Sequence, residues 1–317
     1  MPSLNYRLQR KSKYLLIRAM AHPVTARWFG WVHRSFAFRD ILRSCEELKV
    51  LPEKETADFP LVRQFDVQFP GTDIPIHYNY EKPDMLGFLL YRYAFIPWET
   101  STAPVFLSLA RRARGVVDVG ANVGAYTLLT LAANKTSSIV AIEPNPEMFQ
   151  RLQTNVRLND LGSRVQSHQA AASNYSGKAN LHVPEECSMA SLNPQGFRGL
   201  EGKLVEVPVI TLDTLLPPDF PVDLIKIDVE GFEPDVLAGM TSILKKWTPA
   251  IILECHPDDT SAEINAILKA YPYRFYHIDD DGIHPRESIA PQKDQRRHNW
   301  LCLPTALDLA EIMGTGK

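Results

Sequence analysis

The segment VVDVGANVGAYT, residues 116–127, combines an acid with two glycines at a spacing suited to ligand binding. Gly120 and Gly124 permit a sharp turn and let a ligand approach the backbone closely. The dinucleotide fingerprint G-x-G-x-x-G is absent, which disfavours a dehydrogenase, because a pyrophosphate needs that bare backbone at a helix N-terminus. A phosphate-free nucleoside with an amino-acid tail has no such need. Asp118, at the end of the preceding predicted strand, is placed to orient the ammonium group of such a ligand.

Glu143 supplies a second carboxylate, 23 residues after Gly120 and at the end of the next predicted strand. An acid at this position of a nucleotide-binding sheet accepts hydrogen bonds from the ribose hydroxyls. Either acid alone could merely cap a strand end. Together with the glycine loop, however, Asp118 and Glu143 predict a nucleoside site at the carboxyl edge of a sheet.

Polar side chains also end two later strands, in the segments LIKIDVEG and LECH. Strand alternation predicts that Lys226, Asp228 and Glu230 share one side. Glu254 and His256 reach the same edge. A neutral alcohol is a poor nucleophile, so a base in this cluster would assist transfer of a group to an oxygen. His256 is the preferred base because an unperturbed histidine, with a pKa of ~6.5, is mostly neutral at pH 7.

Two other interpretations of this cluster stay open. A divalent metal such as Mg²⁺ is one, because carboxylates with one histidine resemble a hard-metal site. Its candidate ligands are Asp228, Glu230, Glu254 and His256. A structural role is the other, in which Lys226 simply pairs with Asp228, while Glu230 and Glu233 face a helix N-terminus.

The order of predicted elements places both clusters on one sheet. From residue 101 onward, apolar strand-like runs alternate with helical periodicity, which predicts an α/β fold with right-handed crossovers and a doubly wound, mostly parallel sheet. The predicted strands are 115–120, 137–144, 165–171, 223–228 and 249–255, followed by a hairpin-like pair at 273–280 and 299–304. Since no helix separates the last pair, we expect the last strand to be antiparallel.

Helices are predicted at 124–133, at 145–160 with Asn145 as N-cap and Pro146 at the first position, at 233–246 and at 260–270.

The stretch 172–216 is predicted to be long and irregular, with two strand-like segments, KANLHV and LVEVPVITL, and to cover an acceptor pocket as a loop or lid. Its Ser188, Ser191 and Asn193 suit a polyhydroxyl acceptor. His298 and Asn299 enter the last strand, and the sequence leaves open whether they face that pocket.

Composition divides the chain into four parts. They are a basic, helical N-terminal extension (1–60), a connecting segment with a small hairpin around Gly71 (61–98), the cofactor-binding catalytic domain (99–306) and a C-terminal tail (307–317).

Charge is unevenly distributed along the chain. The first 43 residues carry nine Arg or Lys against one acid, in a chain whose net charge is −3. The overall balance argues against nucleic acid as a partner. Basic residues interleaved with aromatic and aliphatic ones can lie on an anionic membrane, which would make residues 1–43 a peripheral membrane contact. Packing of these helices on the catalytic domain or on a second subunit is the alternative.

The cysteines and the hydropathy pattern indicate a cellular compartment. The four cysteines form no CxxC pair, which fits a reducing environment. No apolar run approaches the ~20 residues that span a bilayer, and the first residues lack the continuous apolar core of a signal peptide. The sequence therefore predicts a cytoplasmic protein, peripheral to the membrane if the basic arm binds lipid.

Taken together, these motifs resemble those of the FkbM-type methyltransferases. The segments VVDVGANVGAYTL, AIEPNPEMFQRLQTNVRLN, DLIKIDVEGFEPDVLAGM and the closing NWLCLP follow that family's pattern within residues 90–305. The resemblance implies a class I methyltransferase-like sheet that binds S-adenosyl-L-methionine and methylates a hydroxyl of a sugar, a glycan or a secondary metabolite. It does not indicate the individual acceptor or the oligomeric state.

The resemblance also implies a set of cofactor-binding residues. By position these are Asp118, Gly120, Asn122, Gly124, Tyr126, Glu143, Asn145 and Asp228. Ala171 and Ala172 would flank the adenine with their backbone and small side chains, and Glu99 would approach the methionine end. Glu99 could instead favour the start of the helix predicted at 100–112.

The competing hypothesis is a catalytically idle module of the same fold that docks partners at a membrane surface. The presence of Asp118, Gly120, Glu143 and Asp228 favours the enzyme. Loss of any one of them would have favoured the module. An N-methyltransferase of the (D/N)-P-P-(Y/F) kind is disfavoured because the fourth strand ends in IDVEG instead.

Overall fold

The structure is a computed structural model, and it divides the chain into two compact units, Met1–Pro97 and Trp98–Lys317, which are described separately. The described residues are 63–69, 72, 74–81, 87, 90, 99, 101–159, 163–184, 202–255, 260–279, 281–290 and 299–314. The predictions for the N-terminal extension and its membrane contact, for His256 and for the polar residues Ser188, Ser191 and Asn193 lie outside the described residues.

The described part of the first unit contains a two-stranded hairpin. Strands β1 (Gln64–Val67) and β2 (Ile76–Asn79) pair antiparallel, with Phe65 opposite Tyr78. Their ring centroids are 5.4 Å apart, and both side chains are buried. The alternation of buried and outward-facing residues is that of a strand with one covered face. The predicted hairpin is confirmed.

The second unit is an α/β domain. Its strands are β3 (Gly115–Val119), β4 (Ser138–Ile142), β5 (Val165–His168), β6 (Ala171–Ala172), β7 (Gly177–Pro184), β8 (Gly202–Ile210), β9 (Leu224–Ile227), β10 (Ala250–Glu254), β11 (Tyr273–Asp279), β12 (Gly282–Arg286) and β13 (Asn299–Pro304). Its helices are α1 (Thr102–Ala110), α2 (Ala125–Ala133), α3 (Pro146–Leu158), α4 (Leu212–Leu215), α5 (Glu233–Ala238), α6 (Thr241–Trp247), α7 (Ser261–Leu268) and α8 (Leu309–Ile312). Among these described helices none is long and apolar enough to cross a membrane.

Eight of these strands form one sheet in the order β12-β11-β13-β10-β9-β3-β4-β5. The run from β10 to β5 is parallel, and β13 lies antiparallel between β10 and β11. From β3 the sheet extends in one direction through β4 and β5 and in the other through β9 and β10. The sheet is therefore doubly wound and mostly parallel, with an antiparallel last strand, as predicted. Edge strand β12 was not predicted, because its sequence GIHPR is polar and contains a proline, which only an edge strand tolerates readily.

The two strand-like segments predicted in the stretch 172–216 are strands β7 and β8. They belong to a second sheet of order β6-β8-β7, so the described part of this stretch is more regular than predicted. Alternating apolar residues of β7 and β8, among them Leu181 and Val207, bury a small core of their own. This separate sheet was not predicted, because only the pairing of the two strands gives them a covered face.

Helix α3 begins as predicted: the Glu147 backbone N–H donates to the Asn145 side chain at 3.0 Å, and Pro146 occupies the first turn. The single helix predicted at 233–246 is wrong, because the chain breaks into α5 and α6 around Gly239. A Cβ on Gly239 would lie 2.0 Å from the Ser173 carbonyl oxygen. The backbones approach too closely there for a side chain.

The central strands are buried on both faces, which explains their continuous apolar sequences. Val117, Val119, Ile225 and Ile227 are all buried in the main core cluster. Lys226 is an exception within these runs, since it is fully buried in the middle of β9. A buried cation requires compensating charges, and they define the site below.

Candidate active site

The loop between β3 and α2 has the backbone geometry of a ligand-binding turn. Gly120, Asn122 and Gly124 have φ values of +77°, +52° and +95°. A Cβ on Gly120 would lie 1.8 Å from the Asp228 carbonyl oxygen, so only glycine fits there. Three of the five residues 120–124 therefore have left-handed backbone, which exposes N–H groups in a tight loop. This is the sharp turn that the two glycines predicted.

Glu143 anchors this loop to the end of β4. Its Oε2 accepts a hydrogen bond from the Asn122 backbone N–H at 2.7 Å, and its Oε1 accepts one from the Asn145 backbone N–H at 2.8 Å. Burial raises the pKa of the Glu143 carboxyl to about 7, although these two N–H groups lower it. The structure therefore brings three predicted cofactor residues into direct contact, and each carboxylate oxygen can accept a further hydrogen bond.

Asp118 holds the start of helix α2. Its Oδ2 accepts hydrogen bonds from the Thr127 backbone N–H at 2.9 Å and from the Thr127 hydroxyl at 2.6 Å. Burial raises the pKa of the Asp118 carboxyl to about 6, against the lowering effect of the Thr127 hydroxyl. These contacts give Asp118 a capping role, and its role toward the cofactor ammonium stays a prediction.

Lys226 is the central cation of the site, with an exposed fraction of 1%. Its Nζ lies 3.4 Å from Asp228 Oδ2 and 5.4 Å from the centroid of the Tyr126 ring. Burial alone would lower its pKa. Asp228, Glu99 and other carboxylates outweigh that effect and raise the pKa of Lys226, so it carries its positive charge at neutral pH.

Tyr126 and Glu99 form a buried pair beside Lys226. The Tyr126 hydroxyl donates a hydrogen bond to Glu99 Oε2, and burial keeps the pKa of that hydroxyl well above its usual value. Burial also raises the pKa of Glu99, against the lowering effect of Lys226. Helix α1 has Ser101 as its N-cap and no acid in its first turn, so the contacts of Glu99 favour a role in the site over one at the helix end.

Asp228 and Glu254 end neighbouring strands and are hydrogen-bonded to each other through their side chains. Burial, and then the charge of Asp228, raise the pKa of Glu254 well above its usual value. Two carboxyl groups this close disfavour each other's ionised form, which favours a proton on Glu254. Glu230, with a φ of +54°, lies close enough for its charge to raise the pKa of Glu254 further.

Glu233 is a supporting residue, which the sequence placed only at a helix N-terminus. It does lie in the first turn of helix α5, where its side chain is fully buried. Its Oε1 accepts hydrogen bonds from the Gly231 backbone N–H at 3.1 Å and the Val229 backbone N–H at 3.4 Å. It thereby holds the loop that carries Asp228 and Glu230, a contact that the sequence did not predict.

Ala171 and Ala172 lie at the junction of the two sheets. The side chain of Ala171 packs in the core of the three-stranded sheet, and that of Ala172 packs in the main core. Because both side chains are buried, the predicted contact with adenine is left to their backbone. That contact stays a prediction.

The metal hypothesis also stays a prediction. Within the described residues no group of three or more His, Cys, Asp or Glu side chains is arranged to hold a metal ion. His256, the remaining nitrogen ligand, lies outside the described residues.

Residues 118–275 match the family described as "Methyltransferase FkbM domain". Methyltransferase sdnD of Sordaria araneosa is 28% identical over 184 residues, which cover 49% of this chain and 71% of that protein. Methyltransferase 1 of Beauveria bassiana is 31% identical over 144 residues, covering 39% and 57%. Hexuronic acid methyltransferase AglP of Haloferax volcanii is 28% identical over 153 residues, covering 48% and 59%. The last two alignments thus span less than two thirds of the relative.

Solved structures give weaker likenesses. The methyltransferase FkbM from Methylobacillus flagellatus has a TM-score of 0.42 at 18% identity, covering 60% of this chain and 44% of that one. The O-methyltransferase TomG from Streptomyces achromogenes, in complex with SAM, has a TM-score of 0.37 at 14% identity, covering 64% and 79%. These scores are low, and the strand order of the chain itself defines the fold.

Proposed function

We propose that this chain, which belongs to the FkbM methyltransferase family through its residues 118–275, transfers a methyl group from S-adenosylmethionine to a hydroxyl oxygen. The contact of Glu143 with both Asn122 and Asn145 at the glycine loop is the observation that carries the proposal. That contact presents a buried carboxylate where a nucleoside would bind. Methyltransferase activity itself is common to the family and to the three named relatives.

The charges of the site fit a positively charged cofactor. Four carboxyl groups surround the cation of Lys226, namely Glu99, Asp118, Asp228 and Glu254. A buried site with more acids than bases among its described residues is stabilised by a cationic ligand, because that ligand compensates charge which water cannot reach. A sulfonium with an ammonium group meets this requirement.

Bound there, S-adenosylmethionine supplies an electrophilic methyl group. Glu143 would hold the cofactor by accepting hydrogen bonds from ribose hydroxyls, and Asp118 fixes the loop through Thr127. The pair of Asp228 and Glu254 would accept the proton of the acceptor's hydroxyl while the hydroxyl oxygen bonds to the methyl carbon. The bond between that carbon and sulfur would break, and S-adenosylhomocysteine would leave as a neutral thioether. Lys226 keeps that pair partly ionised, and positioning of the nucleophile supplies much of the rate. His256 is the alternative base.

We propose a sugar, glycan or secondary-metabolite hydroxyl as the acceptor. AglP, a hexuronic acid methyltransferase, supports the sugar class. A hexuronic acid offers hydroxyls and a carboxylate, and the negative charges of Asp228 and Glu254 would repel the carboxylate. Mild alkali distinguishes methylation of the carboxylate from methylation of a hydroxyl, because a methyl ester releases methanol under these conditions and a methyl ether does not. We expect base-stable methyl groups on glucuronic acid incubated with the chain and labelled S-adenosylmethionine, and base-labile ones would contradict transfer to a hydroxyl.

The alternative of a catalytically idle docking module receives no support from the relatives, since all three are named methyltransferases.

Loss of the Glu143 carboxylate should weaken cofactor binding. We expect Glu143→Ala to reduce the affinity for S-adenosylmethionine by ~1.5–3 kcal/mol, the range for a hydrogen bond to a charged group. Titration calorimetry with the full chain measures it. Glu287→Ala, at an exposed position directly after β12, is the matched control and should leave the affinity unchanged. Unchanged affinity in Glu143→Ala would contradict the proposed contact between Glu143 and the ribose.

Cofactor affinity should also depend on pH through Glu143. Its pKa of about 7 in the free protein exceeds the ordinary value, so the carboxyl is largely protonated below pH 7. Binding that needs the carboxylate lowers this pKa in the complex. Affinity is therefore full above pH 7 and falls by up to ~10-fold per pH unit below it. Calorimetry between pH 6 and 8.5 tests this, and Glu143→Ala should lose that part of the pH dependence. A dependence that survives in the variant contradicts the assignment.

A further inference from the structure

Asn299 opens β13 on the same face of the sheet as the acidic pair. It stands in register with Glu254 across the antiparallel β10–β13 pair. The parallel β9–β10 register, continued by one residue beyond Leu253 and Ile227, brings Glu254 beside Asp228, in agreement with their hydrogen bond. Side chains in register on neighbouring strands project from the same face. Asn299 therefore extends the row formed by Asp228 and Glu254.

The side chain of Asn299 has a buried oxygen, Oδ1, with no hydrogen-bond partner in the described part of the chain. Such oxygens are rare because an unsatisfied buried acceptor costs free energy. The indole nitrogen of Trp300 is also unpartnered, but Trp300 packs in the main core on the opposite face. Asn299 Oδ1 is thus an unsatisfied acceptor beside the groups that would take the substrate's proton.

We propose that Asn299 binds the acceptor, with Oδ1 accepting a hydrogen bond from a second hydroxyl of the same molecule. This inference rests on the proposed function. Neighbouring strands are ~4.8 Å apart, so β9 and β13, on either side of β10, are ~10 Å apart. One six-membered ring with a hydrogen bond at each end spans that distance. The acceptor class is therefore a sugar with hydroxyls on two sides of the ring, rather than a molecule with a single hydroxyl.

The variant Asn299→Leu separates a ligand-binding role from a structural one. Leucine has a similar shape and removes the unsatisfied oxygen, so the thermal midpoint of the ligand-free protein should stay the same or rise. A structural asparagine would give a lower midpoint. Affinity for the cofactor should not change, whereas affinity for the sugar should fall at least ~10-fold, as expected for a lost hydrogen bond. Asn180→Leu, at an exposed position of β7, is the matched control.

The binding experiment uses the full chain saturated with S-adenosylhomocysteine, so that no turnover occurs. Methyl glucoside, methyl galactoside and methyl mannoside are titrated separately, with cyclohexanol as the single-hydroxyl comparison. The side-chain amide resonance of Asn299, identified by its absence from Asn299→Leu, reports contact. We expect at least one glycoside to shift it and to bind more tightly than cyclohexanol.

Three results are then distinguishable. If no glycoside binds while S-adenosylhomocysteine does, or if Asn299→Leu binds the glycoside as the wild type does, the role of Asn299 is overturned and the methyltransferase stands. If only an ordered water occupies Oδ1, the resonance does not move with any glycoside, which also overturns it. Failure of S-adenosylhomocysteine itself to bind would overturn the proposed function.

Discussion

We expect Asp228→Asn to lower kcat at least ~100-fold while S-adenosylmethionine still binds, the low end for loss of a general base. The side chain of Asp228 is hydrogen-bonded to that of Glu254, and its Oδ2 lies 3.4 Å from Lys226 Nζ. Asparagine keeps the shape and can still hydrogen-bond to Glu254, but it cannot accept the proton of the acceptor. Because the chemical step is affected more than binding, KM for the acceptor should change less than kcat.

Methyl transfer from labelled S-adenosylmethionine to glucuronic acid measures this effect, with calorimetry on the same preparation to confirm cofactor binding. Asp219→Asn is the matched control, since Asp219 is exposed in the loop before β9, at the opposite edge of the sheet. Its turnover should equal that of the wild type. If Asp228→Asn turns over normally and His256→Ala does not, the base is His256. Normal turnover in both variants would place the reacting group elsewhere.

The sequence predicted the large sheet because its strands are short, apolar and separated by helices. The short apolar runs GVVDV and LIKI are typical of strands buried on both faces. Their parallel arrangement in one sheet followed from the rule that crossover connections are right-handed. Strands β7 and β8 were recognisable from their alternating apolar residues, but the three-stranded sheet was not predicted, because the pairing of these strands is a long-range property. The break at Gly239 was missed for a similar reason, since the Ser173 carbonyl that excludes a side chain comes from a distant segment.

The site was predictable where a residue acts through its position at a strand end. Asp118 and Glu143 lie at the carboxyl edge because β3 and β4 end there. Their contacts were not predictable, because the backbone geometry of the glycine loop decides that Glu143 reaches Asn122. The pair of Tyr126 with Glu99 joins residues 27 positions apart, and no periodicity links them.

Lys226 was predicted as a member of the catalytic cluster, and the structure gives it a second task. It is fully buried among Glu99, Asp118, Asp228 and Glu254, whose charges raise its pKa. In return it lowers the pKa of Glu99, Asp118 and Glu254. Four acids in one buried region would otherwise repel one another, so the charge of Lys226 holds the carboxyl edge of the sheet together.

We therefore expect Lys226→Met to reduce the free energy of unfolding by ~3–5 kcal/mol at pH 8, the range for removing one partner of a buried ion pair. Methionine is long and apolar enough to fill the space, so the loss reflects uncompensated carboxylates more than a cavity. Urea unfolding of the full chain without cofactor measures it. Lys178→Met is the matched control, because Lys178 pairs with Glu206 on the exposed side of β7 and β8, where an ion pair contributes ~1 kcal/mol or less.

The loss in Lys226→Met should be smaller at pH 5 than at pH 8. Without the cation, the pKa values of Glu99, Asp118 and Glu254 rise further above their values in the unfolded chain. An acid whose pKa is raised on folding favours the folded state fully at pH values below its unfolded pKa, and that contribution is lost as the pH rises through the folded pKa. At pH 5 the acids are mostly protonated in the variant and repel one another less. A loss that is the same at both pH values, or no larger than that of Lys178→Met, would mean that Lys226 does not compensate these charges.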